Sequence, residues 1–249
     1  MTERVVVIMG ASAGIGAALA RLLAQRGNAR LVLVARRSAA LEAVALDCSG
    51  RALAVVADAT IREDVRRVIK AALSRFGQID VLVNNVGQGI TRAALELSDE
   101  DIDKMVSVNV KSALYGMQEV LPHFKSRNTG HVVNMSSMLG RIPYASIRSA
   151  YSGAKHFLNS LTANIRTDVQ ATHPDIQFSL VSPGPVRTDF GSNAVHGGPD
   201  SRTLPDSQSA EEVAAVVAEV IESRQPDVYT RRGAQARVAS YYSTLGEDP

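Results

Sequence analysis

One cysteine in 249 residues, Cys48, is too few for an internal disulfide or a cysteine-based metal site, and it reads as an inert, partly buried thiol. The five histidines, His123, His131, His156, His173 and His196, show no metal-ligand spacing and are expected at surface or loop positions. No window approaches the ~18 apolar residues of a membrane-spanning helix, and the opening MTERVVVIMG lacks the length and flanks of a cleavable signal. Neither membrane spanning nor export is expected, and with so little cysteine this points to the cytoplasm. The net charge is only +2 and the basic residues are scattered, so the electrostatic footprint of a nucleic-acid binder is missing. There is also no internal repeat, heptad run or low-complexity tract.

What is present can build a large core: 45% of the residues are apolar and 21% charged. A chain of this length and composition is expected to form one α/β domain over residues 1–249. Short β-branched runs recur as RVVVIMG, RLVLVAR, ALAVVAD, IDVLVNN, GHVVNMSS and IQFSLVSPG. Strands apolar on both faces, alternating with helical patterns, predict a parallel sheet covered by helices on each side. Apolar residues at three- and four-residue spacing predict six helices, one of them running unbroken from Asp99 to Phe124. Gly27 and Gly77 follow two of these as left-handed C-caps, and Ser98 precedes three acids as an N-cap. The Gly/Ser/Pro-rich stretch 189–209 has no period, and an irregular segment of that length predicts a lid or binding loop.

The turn GASAGIG, residues 10–16, directly follows the first strand and opens the first helix. Glycine there lets backbone approach a phosphate, which the helix N-terminus attracts through its free amides. A dinucleotide fold that takes NAD usually places an acid after the second strand for the ribose 2′-hydroxyl. Here the strand ends in Ala35, Arg36 and Arg37. An arginine pairs with a 2′-phosphate, so NADP(H) is preferred, with NAD(H) the alternative if the two arginines are solvated loop charges. Further along, Tyr151 and Lys155 stand four residues apart, on one face of a helix. An ammonium beside a phenol favours the phenolate and lowers a pKa that is ordinarily near 10.

With these stand Asp58, NNVG at 84–87, Asn109, NMSS at 134–137, YSGAK at 151–155 and PGPVRT at 183–188. Together, in this order, the motifs resemble the short-chain dehydrogenase/reductase family, in its single-domain subgroup. The resemblance implies a Rossmann-type, doubly wound parallel sheet of about seven strands in the order 3-2-1-4-5-6-7, the last a short strand near Asp227 to Thr230. It implies an oxidoreductase moving a hydride between NADP(H) and a carbonyl or secondary alcohol, with Asn109, Ser137, Tyr151 and Lys155 catalytic. Tyr151 would be the acid–base group, Lys155 would lower its pKa and hold the cofactor ribose, and Ser137 would steady the substrate oxygen. Asn109 would position a water, or merely kink or cap its helix.

Cofactor contacts implied by the same resemblance are Gly10, Ser12, Gly14, Ile15 and Gly16 in the turn, Arg36, Asp58 and Asn84, then Pro183, Gly184 and Thr188. The substrate would meet Ser137, Met138, Tyr144, Tyr151, Pro185 and Phe190, with Leu139, Ile142, Val195 and Leu204 nearby. This is a partly apolar pocket with no charged residue assigned to it. Three departures stand out: Met9 and Val86 replace common threonine and alanine, and a longer Ser137 to Tyr151 interval leaves Ser136 as a rival hydroxyl. A homodimer or homotetramer is implied, built on the helices near 99–124 and 150–171. The alternatives to the enzyme reading are an NAD-dependent member of the same family and a cofactor-bound regulator without turnover. The tail 231–249, with Tyr241 and Tyr242, is open between covering the pocket and covering a partner.

Overall fold

Short, mostly apolar runs form the strands β1 (Arg4–Met9), β2 (Ala29–Ala35), β3 (Ala52–Val56), β4 (Val81–Asn84), β5 (Gly130–Met135) and β6 (Ile176–Ser182) of a computed structural model that describes residues 3–245. A seventh strand, β7 (Asp227–Tyr229), completes one parallel sheet in the order 3-2-1-4-5-6-7. It ends one residue earlier than expected. The helices are α1 (Gly14–Arg26), α2 (Ser38–Asp47), α3 (Arg62–Phe76), α4 (Asp99–Val106), α5 (Ser112–Arg127), α6 (Ser149–Gln170), α7 (Ala210–Ser223) and α8 (Ala234–Ser243). None is long and apolar enough, among the described residues, to cross a membrane.

Alternation along each strand sends successive side chains to opposite faces. Val6 and Ile8 of β1 join one buried cluster with Leu19 of α1, Leu41 of α2 and Val217 of α7. Val7 and Met9 join the other, with Val65 of α3, Met117 of α5 and Val169 of α6. Both faces of the sheet are thus covered, which is why its strands lack polar alternation. β1 pairs with β2 on one side and β4 on the other, so the chain reverses direction across the sheet there. Such a switch point opens a crevice beyond the carboxyl ends of the strands.

The local caps form as their residues dictate. Gly27 and Gly77 take φ of 73° and 74°, and Ser98 makes a capping box with Asp101. Expectation and structure part at the long helix over 99–124. It is interrupted by a π turn at Ser107–Lys111, because Asn109 inside it spends its side-chain amide on other backbone. Cys48 is wholly buried rather than partly so. His131, expected on the surface, lies inside β5 with Nε2 2.8 Å from Ser179 Oγ, and burial pushes its pKa down to about 3. The helix α8 has no sequence signal of its own and packs Tyr241 and Val238 against Met138 and Ile142. Residues 246–249 of the tail lie outside the described residues.

Candidate active site

A cleft of about 650 Å³ runs across the switch point, from the glycine turn at one end to Tyr144, Phe190 and Leu204 at the other. Gly10 and Gly14 hold φ of +85° and +55°, a region closed to most side chains. The N-terminus of α1 has no side-chain cap and no acid in its first turn, so its amides face the cleft without an internal partner. This is the arrangement that receives a phosphate. Gly16 is not on the cleft wall: a Cβ there would run into the Gly10 carbonyl oxygen, so its role is to let α1 pack against β1. Ser12, Ile15, Pro183, Gly184 and Thr188 do line the cleft, Thr188 from directly opposite Gly14.

Asn84 does not reach the wall. Its Nδ2 donates 2.8 Å to Asn134 Oδ1, and Asn134 Nδ2 donates 2.8 Å to Thr162 Oγ1, a buried polar bridge from β4 through β5 to α6. The residue that faces the cleft is Asn85, whose Nδ2 donates 2.9 Å to the Gly10 carbonyl. The cofactor contact expected at Asn84 thus falls one position later, since β4 ends at Asn84 and only then turns outward.

At the glycine-turn end, Arg36 Nη1 lies 3.5 Å from Asp58 Oδ2, with Arg36 largely exposed. Burial alone would raise the Asp58 pKa, but two hydrogen bonds from Thr60 and the Arg36 charge hold it low. Arg37 bends the other way, its Nη2 donating 3.2 Å to Ser12 Oγ in the glycine turn. Two guanidinium groups therefore flank the place where the second strand meets the turn. Among the described residues, no three His, Cys, Asp or Glu side chains are grouped to hold a metal.

Near the middle of the cleft, residues from the end of β5 meet residues of α6. Ser137 follows β5 with its Oγ accepting 3.1 Å from Leu139 N, and it lines the same cleft as Tyr151. Ser136, the rival hydroxyl, instead donates 2.5 Å to Asn159 Oδ1 of α6. Tyr151 is 6% exposed and Lys155 3%. Lys155 Nζ donates 2.8 Å to the Met135 carbonyl and lies 5.7 Å from the centroid of the Tyr151 ring. Asn109 stands behind the cleft: its Oδ1 accepts from Gln88 N at 3.1 Å and its Nδ2 donates to Gln88 O at 3.0 Å. It pins the segment at Gly87, where a Cβ would meet Asn109 Oδ1 at 3.2 Å and Lys155 Nζ at 3.5 Å.

Lys155 does not lower the Tyr151 pKa here as the pairing alone suggests. Burial dominates and pushes the phenol up to about 12, against the pull of the Ser137 hydroxyl and the Arg148 charge. The same burial brings Lys155 down to about 8. Tyr151 is therefore a firmly protonated donor, beside an amine that changes charge near neutrality.

Residues 4–197 match the family model described as short chain dehydrogenase, more than half of the chain. The chain belongs to the short-chain dehydrogenase family. This short-chain dehydrogenase is 33% identical over 195 residues to an uncharacterized oxidoreductase of Staphylococcus epidermidis, covering 76% of this chain and 83% of that one. An uncharacterized oxidoreductase of Staphylococcus aureus is 31% identical over 214 residues, covering 86% and 90%. Among solved structures, a short-chain dehydrogenase/reductase from Burkholderia phymatum in complex with NAD shares the fold, with TM-score 0.88, 24% identity and coverage of 100% and 98%. An alcohol dehydrogenase from the archaeon Thermococcus sibiricus, complexed with 5-hydroxy-NADP, has TM-score 0.79, 28% identity and coverage of 91% and 95%.

At the end of the cleft away from the glycine turn of this short-chain dehydrogenase, Leu139, Tyr144, Pro185, Phe190 and Leu204 line the wall. Met138 and Ile142 do not, because they turn under α8 into an apolar cluster with Ala234. Val195 is also off the wall, tying the irregular segment to Ile90 through a parallel bridge. A charged residue appears where none was assigned. Arg148 lines the cleft three positions before Tyr151, a spacing that places both on one side of the chain entering α6.

Proposed function

We propose that the chain is an NADP(H)-dependent oxidoreductase interconverting a carbonyl compound and a secondary alcohol. The observation that carries this reading is the convergence of Ser137, Tyr151 and Lys155 on a cleft that begins at an uncapped helix N-terminus. The residues fit a dinucleotide: Gly10 and Gly14 admit close backbone approach, and the amides of α1 offer a phosphate site. When bound, the reduced nicotinamide supplies a hydride, two electrons and a hydrogen nucleus, to the substrate carbon.

The protein supplies the rest. Ser137 donates a hydrogen bond to the substrate oxygen and stabilises charge that develops there. Tyr151, neutral because burial holds its proton, gives that proton to the same oxygen, and the reverse transfer serves alcohol oxidation. Lys155 contributes positive charge when protonated and a route for replacing the proton. The apolar walls at Leu139 and Phe190 keep water from the reacting atoms.

Preference for NADP(H) rests on Arg36 and Arg37, both at the edge of the cleft, with Arg37 already turned onto Ser12. One observation favours the NAD(H) reading: Asp58 engages Arg36, which lowers its availability to a 2′-phosphate. Exposed Ile102 on α4 and Phe157 on α6 support assembly of copies through those helices. The test of the reaction is NADPH oxidation against a panel of ketones, keto esters and oxo acids. Tyr151→Phe is expected to lower turnover by about 100-fold or more, with the fold retained. Equal turnover by the variant removes Tyr151 from the chemistry, and cofactor binding without turnover by the wild type favours a regulator.

A further inference from the structure

Arg148 ends the short turn Ser146–Arg148 that leads into α6, and its side chain passes between two glycines distant in the chain. A Cβ on Gly89 would stand 2.6 Å from Arg148 Nη1, and one on Gly198 would stand 3.0 Å from Nη2. Side chains at either position would displace the guanidinium, so the slot exists because both residues are glycine. Gly198 adopts φ of 157°, and the same spot is bordered by Thr91 Oγ1, a buried hydroxyl with no partner among the described residues.

A guanidinium offers five N–H donors. One is used, Nη1 to the Ile90 carbonyl at 3.0 Å. Among the described residues no carboxylate lies within the 4.0 Å of an ion pair to Arg148. Arg36 has Asp58 beside it and Arg37 has Ser12. The carboxylate at the substrate end, Asp189, is exposed and paired with Arg202 at 2.5 Å. Arg148 is thus half-buried and cationic, without a counter-charge, in the wall that also holds Tyr151. Both residues line one cleft, and Gly89, which borders Arg148 Nη1, also borders the Phe190 ring that stands against Tyr151. Withdrawing an arginine from water without an anion is unfavourable for the folded chain, and an anionic ligand relieves it.

We propose that Arg148 is a specificity-determining residue that binds a carboxylate of the substrate, which makes the preferred substrates oxo acids and the corresponding hydroxy acids. The proposal rests on the carbonyl-reduction reading given above. The planar fork of arginine matches a carboxylate in two parallel hydrogen bonds, which would hold the substrate at a fixed distance from Tyr151. Between these polar ends Leu139, Tyr144, Phe190 and Leu204 present apolar surface, which suits a hydrocarbon spacer linking carbonyl and carboxylate. Substrate orientation would then be set by three groups: Arg148 on the carboxylate, and Ser137 with Tyr151 on the carbonyl oxygen.

The test compares matched pairs, 4-oxopentanoate with its methyl ester and phenylglyoxylate with its methyl ester, using NADPH and then NADH. The wild type is expected to favour the acids by at least about tenfold in kcat/KM, and Arg148→Met to reduce the acid-to-ester ratio by a similar factor. Using the ratio cancels any loss common to both substrates, including a change at Tyr151. Arg148→Lys should restore part of the preference. A wild type that favours the esters, or a ratio unchanged within about twofold in Arg148→Met, overturns the proposal.

A second measurement does not depend on turnover. Benzoate, which cannot be reduced at a carbonyl of this kind, should bind the NADPH-loaded wild type by calorimetry and compete with 4-oxopentanoate. Binding should weaken at least about tenfold in Arg148→Met. No benzoate binding to the wild type, or equal binding by the variant, also overturns the proposal. If no carbonyl compound is reduced by the wild type, the enzyme reading falls, and the benzoate titration still decides whether Arg148 forms an anion site.

Discussion

The ring of Phe190 stands edge-on against that of Tyr151, with centroids 5.4 Å apart and planes inclined at 62°. Phe190 belongs to the irregular segment 189–209, so the burial that raises the Tyr151 pKa depends partly on a loop residue. Phe190→Ala is expected to admit water and bring the phenol down toward its ordinary value near 10. Alcohol oxidation needs the deprotonated phenol as base, so its rate rises with pH until Tyr151 is ionised. The variant should therefore begin this rise at lower pH in a kcat/KM profile, and an unmoved profile would show that Phe190 does not control Tyr151 hydration.

Lys155 sets a different pH limit. Its pKa is brought down to about 8, so the ammonium is present below pH 8 and lost as pH rises through that value. Tyr151 keeps its proton up to about 12 and does not titrate in this window. Carbonyl reduction, which consumes a proton, should accordingly decline above about pH 8. Lys155→Met should lower the rate at pH 7 and abolish that decline; a decline of the same midpoint in the variant would assign it to another group.

The two adjacent serines should separate cleanly. Ser137→Ala removes the hydroxyl facing Tyr151 and is expected to reduce kcat about 10- to 100-fold with little change in Tm. Ser136→Ala breaks the tie to Asn159 and leaves a half-buried amide oxygen without that donor, a loss of about 1 kcal/mol in stability. Thermal unfolding and steady-state kinetics on both variants check this, and the reverse pattern would make Ser136 the reacting hydroxyl.

For the cofactor, Arg36→Ala and Arg37→Ala are each expected to weaken NADPH by about tenfold, as loss of a charge-assisted hydrogen bond does. NADH should change by less than about threefold. Dissociation constants from fluorescence titration of the reduced cofactors decide it. An unchanged NADPH-to-NADH ratio in both variants supports the NAD(H) reading.

Most of the sheet is legible in the sequence because strands buried on both faces must be apolar throughout, as at Val5 to Ile8 and Leu31 to Val34. The strand β7 is not, since three residues carry no apolar run and pair because β6 presents Leu180 to Ser182 as an open edge. The helix α8 is likewise held by contacts to Met138 and Ile142 rather than by its own pattern. In the site, Ser137, Tyr151, Lys155 and the glycine turn are marked by local spacing. Asn85, Met138 and Arg148 are not, because which way each side chain faces is decided by distant partners. Arg148 shows this most clearly: the glycines that make room for it, Gly89 and Gly198, lie 59 positions before and 50 after it in the chain.

Cys48 lies fully covered at the end of α2, with Sγ donating 3.2 Å to the Val44 carbonyl, and desolvation pushes its thiol pKa up. A thiol reagent can therefore react only while α2 is lifted from the sheet. Since no second cysteine competes for the label, the native chain carries its own stopwatch for the opening of its β2–β3 edge. Modification rates measured across denaturant concentrations would tell whether that edge breathes independently or only when the whole sheet comes apart.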